Sequence, residues 1–458
     1  MGSGRASVYI ETLGCAKNTV DSEYMAGILE RAGFRLTREP ARADVAVLET
    51  CGFIGPAREE SLAALEELLE WKRRGRARAV VVAGCLVQRD PAGLRQLYPD
   101  VDALLGSGDF PRVAEVLERL LEREPRTGAG AVAAGAPPDV VGRPDYRYDE
   151  LLPRRRDGGF SAYVKIAEGC DHGCAFCAIP LMRGRFRSRP PEVIEQEVRR
   201  LVASGVREIN LVAQDSTAYG LDRPGCPRLP ELLRRLDRVE GLEWLRLHYA
   251  YPTLVDEPLL EAMAESRHVL HYLDMPLQHA SDRILEAMRR PERRRLIEAK
   301  VELVRRRLPD VVLRSTFIVG FPGEGRDDFR ELLDLLRGLE LDRVGFFAYS
   351  PEEGTPAASL RPQVPERVKA SRLRRAEDLQ ARISRRRQSR LVGQVLEVWA
   401  EGPDEQDPGY WLGRWWGQAP EVDGNVVFRP GRPHRPGDRV RVRIERAEAA
   451  DLLGSEVG

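Results

Sequence analysis

The chain has 458 residues, and its 42% hydrophobic content is enough for about three domains with buried cores. Its 72 Lys and Arg balance 72 Asp and Glu, which excludes the strong basic field of a non-specific nucleic-acid binder. We expect a cytoplasmic protein without a membrane span, because the sequence shows neither an apolar signal region nor a run of about 18 uncharged apolar residues.

Residues 7–123 alternate short apolar strands with helical patterns, which predicts a parallel α/β sheet. The predicted strands cover residues 7–15, 43–51, 77–85 and 101–106. The first three end in Cys15, Cys51 and Cys85. Because the carboxyl ends of parallel strands meet at one edge of a sheet, we expect these thiols to converge as a metal or cluster site. The alternative is three structural thiols, since free cysteine packs well in cores.

Residues 124–158 are poor in large apolar side chains and rich in Gly, Pro and Ala, so we predict a linker there. Residues 159–388 then contain six strand-then-helix units. Their predicted strands lie near residues 163–169, 207–214, 244–250, 271–278, 312–320 and 343–349. Six units are two fewer than a closed eightfold barrel needs, which predicts an open (βα)6 partial barrel with a lateral mouth.

The loop "GCDHGCAFC", residues 169–177, holds three cysteines directly after the first of these strands. Three closely spaced thiolates are typical of an iron–sulfur cluster. A four-iron cluster with three protein ligands keeps one iron open for chemistry, as catalytic metal sites do. The alternative is a zinc site completed by His172 or Cys226, although His172 lies inside the tight loop and Cys226 lies in a distant Gly/Pro turn.

The segment "CDHGCAFC", with Phe176 before its last cysteine, resembles the signature of the radical S-adenosylmethionine (SAM) superfamily. This resemblance implies a 4Fe-4S cluster on Cys170, Cys174 and Cys177, with SAM chelating the unique iron. It also implies that reductive cleavage of SAM yields a 5′-deoxyadenosyl radical, which abstracts hydrogen from an unactivated carbon. In such enzymes the protein positions the cofactors and excludes water.

The three-cysteine α/β region resembles the methylthiotransferase family within that superfamily. The resemblance implies a second 4Fe-4S cluster on Cys15, Cys51 and Cys85, whose open iron carries the sulfur to be inserted. Cobalamin-dependent radical SAM enzymes have a similar layout, but their N-terminal domain usually offers a histidine to cobalt. All six histidines of this chain lie at or beyond position 172.

Four separated segments resemble the methylthiotransferases that modify an aspartate of protein twelve of the small ribosomal subunit. They are "LGCAKNTVDSE" (13–23), "AQDSTAYG" (213–220), "DMPLQHAS" (274–281) and "APEVDGNV" (419–426). The resemblance implies methylthiolation of the aspartate β-carbon with two SAM and a sulfur donor. It also implies a reducing partner such as flavodoxin or ferredoxin, and nucleic-acid contact only through the ribosome. The alternative is a transfer-RNA adenosine methylthiotransferase, which would more typically show "GQNVN"-like and "PVQSGS" segments.

Residues 389–458 combine short strands with turn signals and resemble a TRAM domain, a small β-barrel that often binds RNA. From Ser389 onward the chain has nine Arg and twelve Asp or Glu, a net charge of −3. An RNA-binding module normally carries a positive excess, so this charge favours a basic ribosomal protein as the partner.

Polar residues and a glycine at the ends of the barrel strands are candidates for contact with SAM or substrate. These are Gln214, Asp215, Gln278, His279 and Gly320. The carboxyl ends of barrel strands carry the active site in folds of this type. The alternative for the polar residues is that they cap the helices that follow.

Four arginines follow the cysteine loop, at positions 183, 185, 187 and 189. They are candidates for anchoring carboxylates or the substrate. The alternative is a solvated surface loop, which is the more common role of an arginine-rich segment.

Overall fold

The computed structural model describes residues 6–122 and 138–458. These residues form a five-stranded sheet, a six-stranded sheet, a two-stranded sheet and a closed five-stranded barrel. In the described ranges, none of the helices has both the length and the apolar composition needed to cross a bilayer. Short 3-10 turns occupy Pro40–Arg42, Phe110–Arg112, Pro252–Leu254, Pro356–Ser359 and Ser389–Leu391.

The N-terminal sheet is parallel throughout, as predicted. Its strands are β1 (Ser7–Thr12), β2 (Arg35–Leu36), β3 (Val45–Thr50), β4 (Ala79–Gly84) and β5 (Ala103–Gly106). The accompanying helices are α1 (Ala16–Arg31), α2 (Gly55–Arg73), α3 (Cys85–Arg89), α4 (Pro91–Leu97) and α5 (Val113–Leu121). The order is β2-β1-β3-β4-β5, and the fully buried strands β3 and β4 take interior positions. Strand β2 was not predicted, because two residues are too few to show a pattern.

The central region forms the predicted partial barrel. Its strands are β6 (Ser161–Lys165), β7 (Ala167–Glu168), β8 (Arg187–Ser188), β9 (Glu208–Val212), β10 (Trp244–Leu247), β11 (Val269–Asp274), β12 (Val312–Val319) and β13 (Arg343–Ala348). Its helices are α6 (Ile179–Arg183), α7 (Pro191–Ala203), α8 (Leu229–Leu236), α9 (Glu257–Glu265), α10 (Asp282–Ala287), α11 (Arg294–Arg307), α12 (Arg326–Leu339) and α13 (Glu366–Gln388). The main sheet has the order β13-β12-β11-β10-β9-β6, while β7 and β8 pair separately. Because β13 and β6 are the two edges, the barrel is open.

The C-terminal region is a closed barrel, which confirms the predicted small β-barrel. It consists of β14 (Val395–Pro403), β15 (Trp411–Arg414), β16 (Val426–Arg429), β17 (Arg439–Ala447) and β18 (Leu452–Glu456). Strand β18 was not predicted. It closes the barrel by pairing parallel with β16 and antiparallel with β17.

The predicted linker, 124–158, includes residues 124–137, which lie outside the described residues. The described part, 138–158, contains no helix or strand beyond a bridge between Val140 and Leu105. It is nevertheless packed, because Tyr148 is buried and the Arg154 guanidinium lies 2.6 Å from Glu197. This part of the chain therefore contacts both the N-terminal sheet and the partial barrel.

Buried charges attach the C-terminal barrel to the partial barrel. The Glu208 carboxylate accepts from Arg414 at 2.7 Å and from Arg246 at 3.1 Å, and all three side chains are almost completely buried. Tyr272 donates to Asp423 at 2.8 Å nearby. A buried carboxylate is stable only while it is paired, so Glu208 depends on both arginines.

We expect Arg414→Met to destabilise the chain by about 3–5 kcal/mol, because it leaves the buried Glu208 with only one cation. Arg441→Met is the control, since Arg441 is an exposed arginine of the same small barrel. Urea unfolding followed by tryptophan fluorescence measures both. Equal stability of the two variants would contradict this role for Arg414.

Candidate functional site

The structure brings the three N-terminal cysteines together at the carboxyl edge of the first sheet. Cys15 precedes α1, Cys51 follows β3 directly, and Cys85 begins α3. A Cβ atom added to Gly14 would lie 2.8 Å from the Cβ of Cys51 and 3.2 Å from its Sγ. One added to Gly52 would lie 2.8 Å from the backbone oxygen of Cys85. The absence of side chains at these two glycines therefore allows the three loops to approach each other.

The second set of cysteines lies in the loop between β7 and α6. The backbone N–H of Cys170 donates to the Gly184 carbonyl at 3.1 Å, and that of Cys177 donates to the Cys174 carbonyl at 3.1 Å. All three thiols are free and partly exposed. The loop is thus held by its backbone, and none of its three cysteines forms a disulfide.

His172 and Cys226, the two residues that could complete a zinc site, are both engaged in other contacts. His172 Nε2 lies 2.5 Å from Asp215 Oδ2, and its ring stacks on Tyr251 at 3.6 Å. Cys226 Sγ lies 3.7 Å from the Tyr219 hydroxyl. Within residues 6–122 and 138–458, no group of three or more His, Cys, Asp or Glu side chains lies close enough together to hold one metal ion.

The donor set fits iron–sulfur clusters, because each site offers three thiols and burial controls their protonation. Burial raises the pKa of Cys85 and Cys177 to about 12 and that of Cys170 to about 11. Burial acts the same way on Cys15, but the charges of Lys17 and Arg183, together with hydrogen bonds from the backbone of Lys17 and Asn18, outweigh it and lower the Cys15 pKa below its usual value. Metal binding requires thiolates, so binding would displace the protons of Cys85, Cys170 and Cys177.

Arg183 joins the helix that follows the second cysteine set to a cysteine of the first set. It ends α6, the helix after the Cys177 loop, and its side chain is only 2% exposed. Its Nε donates to Cys85 Sγ at 3.1 Å, and its terminal nitrogens donate to Asp21 and Asn18 at 2.6 Å each. One guanidinium therefore joins the partial barrel to a cysteine and to helix α1 of the N-terminal domain.

A buried network of charges surrounds this contact. Lys165 Nζ donates to Asp21 at 2.5 Å and to Glu168 at 2.7 Å. The Tyr148 hydroxyl donates to Asp21 at 3.1 Å. Because Tyr148 lies in the described part of the predicted linker, that part of the chain also joins the network. Each buried charge has an opposite charge beside it, as burial in a low-dielectric interior requires.

Sequence reasoning missed Arg290 as a neighbour of the cysteine loop. Its guanidinium lies 3.8 Å from Cys174 Sγ and 3.9 Å from the centre of the Tyr251 ring, and it pairs with Glu292 at 3.0 Å. No sequence signal marks it, because Arg290 is more than 100 residues from the loop. Arg183 did carry a signal, as one of the four arginines after the cysteines.

Gln214 and Asp215 lie beside the cysteine loop, and their contact with a cofactor stays a prediction. The Gln214 amide donates to Glu168, and its buried Oε1 has no hydrogen-bond partner among the described residues. Asp215 accepts from the Thr217 backbone N–H at 2.9 Å while it also holds His172. Asp215 therefore orients a side chain of the cysteine loop.

The remaining three candidates lie at the ends of β11 and β12, and their cofactor contact also stays a prediction. Gln278 has φ +69° and is joined to β12 through its backbone. His279 is fully buried, with Nδ1 accepting from the Ser281 N–H at 3.0 Å and Nε2 3.6 Å from Glu324. A Cβ on Gly320 would lie 2.4 Å from Lys369 Cγ, so the close approach at this glycine is made by α13.

Three family models match the chain in the order of its structural units. "Uncharacterized protein family UPF0004" matches residues 7–106, "Radical SAM superfamily" residues 164–336 and "TRAM domain" residues 392–457. Together with the open barrel and its cysteine loop, these matches define a radical SAM enzyme with a TRAM domain.

Curated relatives identify the family within that class. A protein of Symbiobacterium thermophilum, named ribosomal protein uS12 methylthiotransferase RimO, is 47% identical over 97% of this chain and 89% of its own. The protein of the same name from Desulforamulus reducens is 45% identical over 98% of this chain and 99% of its own. The chain belongs to the RimO family.

Solved structures resemble this chain in fold. The radical SAM methyltransferase TsrM of Kitasatospora setae, with cobalamin and a 4Fe-4S cluster bound, has a TM-score of 0.56 at 16% identity. The alignment covers 77% of each chain. The cobalamin-dependent radical enzyme OxsB has a TM-score of 0.53 at 13% identity, over 82% of this chain and 56% of its own. At these identities the likeness shows the fold alone.

We expect Arg183→Met to lower the stability of the cluster-free chain by about 3–5 kcal/mol, because it removes a cation from a buried charge network. Arg185→Met is the matched control, since Arg185 is 89% exposed and makes only a long ion pair with Asp171 at 3.4 Å. Exposed pairs contribute about 0–1 kcal/mol. Thermal unfolding by circular dichroism, without iron, measures both; equal midpoints would refute this structural role.

Proposed function

We propose that this chain methylthiolates the β-carbon of an aspartate in ribosomal protein uS12. The observation that carries the proposal is the pair of cysteine sets in facing domains, joined by Arg183. One cysteine set would be enough for the single cluster that cleaves SAM. The second set would supply a separate site for the sulfur that is inserted. Membership of the RimO family supports this choice.

The two cysteine sets are the proposed ligands of two 4Fe-4S clusters. Cys170, Cys174 and Cys177 would hold the cluster that binds SAM, and Cys15, Cys51 and Cys85 the cluster that handles sulfur. When bound, the cofactors supply radical hydrogen abstraction and the sulfur and methyl groups that are transferred.

The protein's own residues orient the loops and exclude water. Asp215 and the Tyr251 ring fix His172 inside the cysteine loop. Arg183, 2% exposed, seals the boundary between the two domains at Cys85. Gln214, Gln278 and Gly320 remain proposed SAM or substrate contacts, and for His279 the contacts to Ser281 and Glu324 favour a positioning role.

Four segments are proposed as the functional divisions of the chain. They are the α/β domain 7–123, the linker 124–158, the radical SAM barrel 159–388 and the TRAM-like barrel 389–458. The family matches at 7–106, 164–336 and 392–457 support this division. The packing of Tyr148 and Arg154 supports a linker whose described end is fixed against both neighbours.

The proposed partners follow from charge and from the family. The acidic C-terminal barrel, with a net charge of −3 from Ser389 onward, suits a basic ribosomal protein. A reducing partner such as flavodoxin or ferredoxin supplies electrons, the reaction takes place in the cytoplasm, and nucleic acid is met only through the ribosome. The transfer-RNA alternative is not favoured, because the curated relatives are named for uS12.

Mass spectrometry tests the substrate. In a strain that lacks this gene, we expect uS12 to lose a methylthio group, the intact gene to restore it, and transfer-RNA adenosine to remain unchanged. A gene with Cys170, Cys174 and Cys177 replaced by Ala is the control and should restore nothing. Methylthioadenosine that depends on the gene, with uS12 unmodified, would overturn the assignment.

Alanine replacement of each cysteine set tests the division of labour. Reconstituted wild-type chain should bind about eight irons, and each triple variant about four, because each site is separate. Loss of Cys15, Cys51 and Cys85 should leave reductive SAM cleavage intact while abolishing methylthio product. Undiminished product in that variant would remove the second cluster from the reaction.

A further inference from the structure

The end of α13 concentrates arginines in a chain whose total charge is zero. Residues 381–391 contain five arginines and neither Lys, Asp nor Glu. Four of these arginines are exposed, at positions 382, 385, 386 and 390. A cavity of about 400 Å³ opens among them, lined by Ala381, Arg382, Arg385, Arg386 and Ser389. The four exposed arginines and this cavity are called the arginine groove below.

The ion pairs in the arginine groove lie at the surface. Arg385 pairs with Glu448 at 2.8 Å and Arg386 pairs with Glu340 at 2.5 Å. Both arginine side chains remain more than half exposed. Exposed pairs contribute only about 0–1 kcal/mol, so these two arginines can exchange their carboxylates for a stronger anion.

The other two arginines of the groove are unpaired. The side chains of Arg382 and Arg390 make no ion pair or hydrogen bond anywhere in the described part of the chain. Like charges also crowd beside them. Burial lowers the pKa of Arg305 on α11, and the charge of Arg387 lowers it further, although Asp342 opposes this. The groove therefore holds more cations than anions, an excess that an external polyanion would offset.

The arginine groove lies far along α13 from the reacting end of the barrel. Near the start of α13, Lys369 donates to the carbonyl of Tyr349, just after β13, at 2.8 Å. Near its end, Ser384 donates to the carbonyl of Asp342, just before β13, at 2.8 Å. At 1.5 Å per residue, roughly 20–25 Å of helix separate Lys369 from the groove. The groove is therefore a docking surface and takes no part in the reaction itself.

The arginine groove also borders the C-terminal barrel. Glu448, the partner of Arg385, lies between β17 and β18, and its second oxygen lies 3.3 Å from Arg446 of β17. The Arg446 side chain is 66% exposed. A partner that binds at this boundary thus meets arginines from two structural units, which favours an extended anionic surface over a small anion.

We propose that the arginine groove docks the phosphate backbone of ribosomal RNA when the enzyme acts on uS12 within the small ribosomal subunit. The inference rests on the proposed function and deepens it, because it states which form of the substrate is recognised. All five cations of residues 381–391 are arginines, whose planar forks bond phosphate oxygens in pairs. In the assembled subunit, RNA phosphates surround a basic ribosomal protein, so one docking event brings the enzyme both RNA and uS12.

Binding of small ribosomal subunits to the anaerobic holoenzyme tests the inference. The subunits come from a strain that lacks this gene, so that their uS12 is unmodified. Replacement of Arg382, Arg385 and Arg386 by Gln should weaken binding about ten- to a hundredfold near physiological salt. The slope of log K against log salt concentration should become less steep by about three, one for each lost phosphate contact.

Replacement of Arg73, Arg74 and Arg76 by Gln is the matched control. These arginines lie at and just after the end of α2, are also exposed, and their loss changes the total charge equally. The control variant should bind subunits as the wild type does. Thermal midpoints and iron content are measured for both variants, so that a folding or cofactor defect is recognised.

Two further measurements identify the partner as RNA. Protein-free small-subunit ribosomal RNA should lose affinity for the groove variant as the whole subunit does. Methylthiolation of isolated uS12 by the groove variant should proceed at the wild-type rate, because no RNA takes part in that reaction.

The outcomes separate this inference from the proposed function. Equal binding of subunits by wild type and groove variant, or an equal loss in the control variant, would overturn the inference alone. Weaker binding to subunits with unchanged binding to bare RNA would assign the groove to a ribosomal protein. Unchanged subunit binding with slower flavodoxin-driven SAM cleavage would assign it to the reducing partner, and both results would overturn the inference. Failure of the wild type to modify uS12, isolated or in subunits, would overturn the proposed function and the inference with it.

Discussion

The guanidinium of Arg183 is the contact on which the arrangement of the two cysteine sets depends. It leaves the barrel loop and ends among Cys85, Asn18 and Asp21 of the N-terminal domain. Arginine suits this position because its planar donors bond several acceptors at once and its charge persists when buried. The N-terminal sheet is therefore held over the carboxyl end of the barrel, the end where radical SAM chemistry takes place.

The contact between Arg183 and Cys85 is buried in a network whose ion pairs offset the desolvation of the charges. Lys165, Glu168 and Asp21 are all almost completely buried, and each finds its opposite charge at hydrogen-bond distance. The same low-dielectric setting raises the pKa of Cys85 and Cys177. Without metal, this setting favours neutral thiols. Once thiolates form, the same setting strengthens their electrostatic contacts, because water cannot screen the charges.

A second set of buried charges places the C-terminal barrel on the other side of the partial barrel. Glu208, Arg246 and Arg414 join strands of the two units, and Tyr272 adds a hydrogen bond to Asp423. Since ion pairs need exact partners, such contacts specify how the two units meet rather than adding much stability. The small barrel is thereby held in a defined position against the partial barrel.

By itself the sequence determined the parallel α/β sheet, the open six-unit barrel, the small C-terminal barrel and the grouping of cysteines, because periodicity and spacing are local properties. It did not reveal β2 or β18, whose short segments become strands only through pairing with β1, β16 and β17. Only the tertiary structure decided that Arg183 contacts Cys85, that Arg290 contacts Cys174 and that Lys17 lies over Tyr249. These contacts join residues 98, 116 and 232 positions apart. Charge pairing at such separations follows from how whole domains pack, and no local pattern records it.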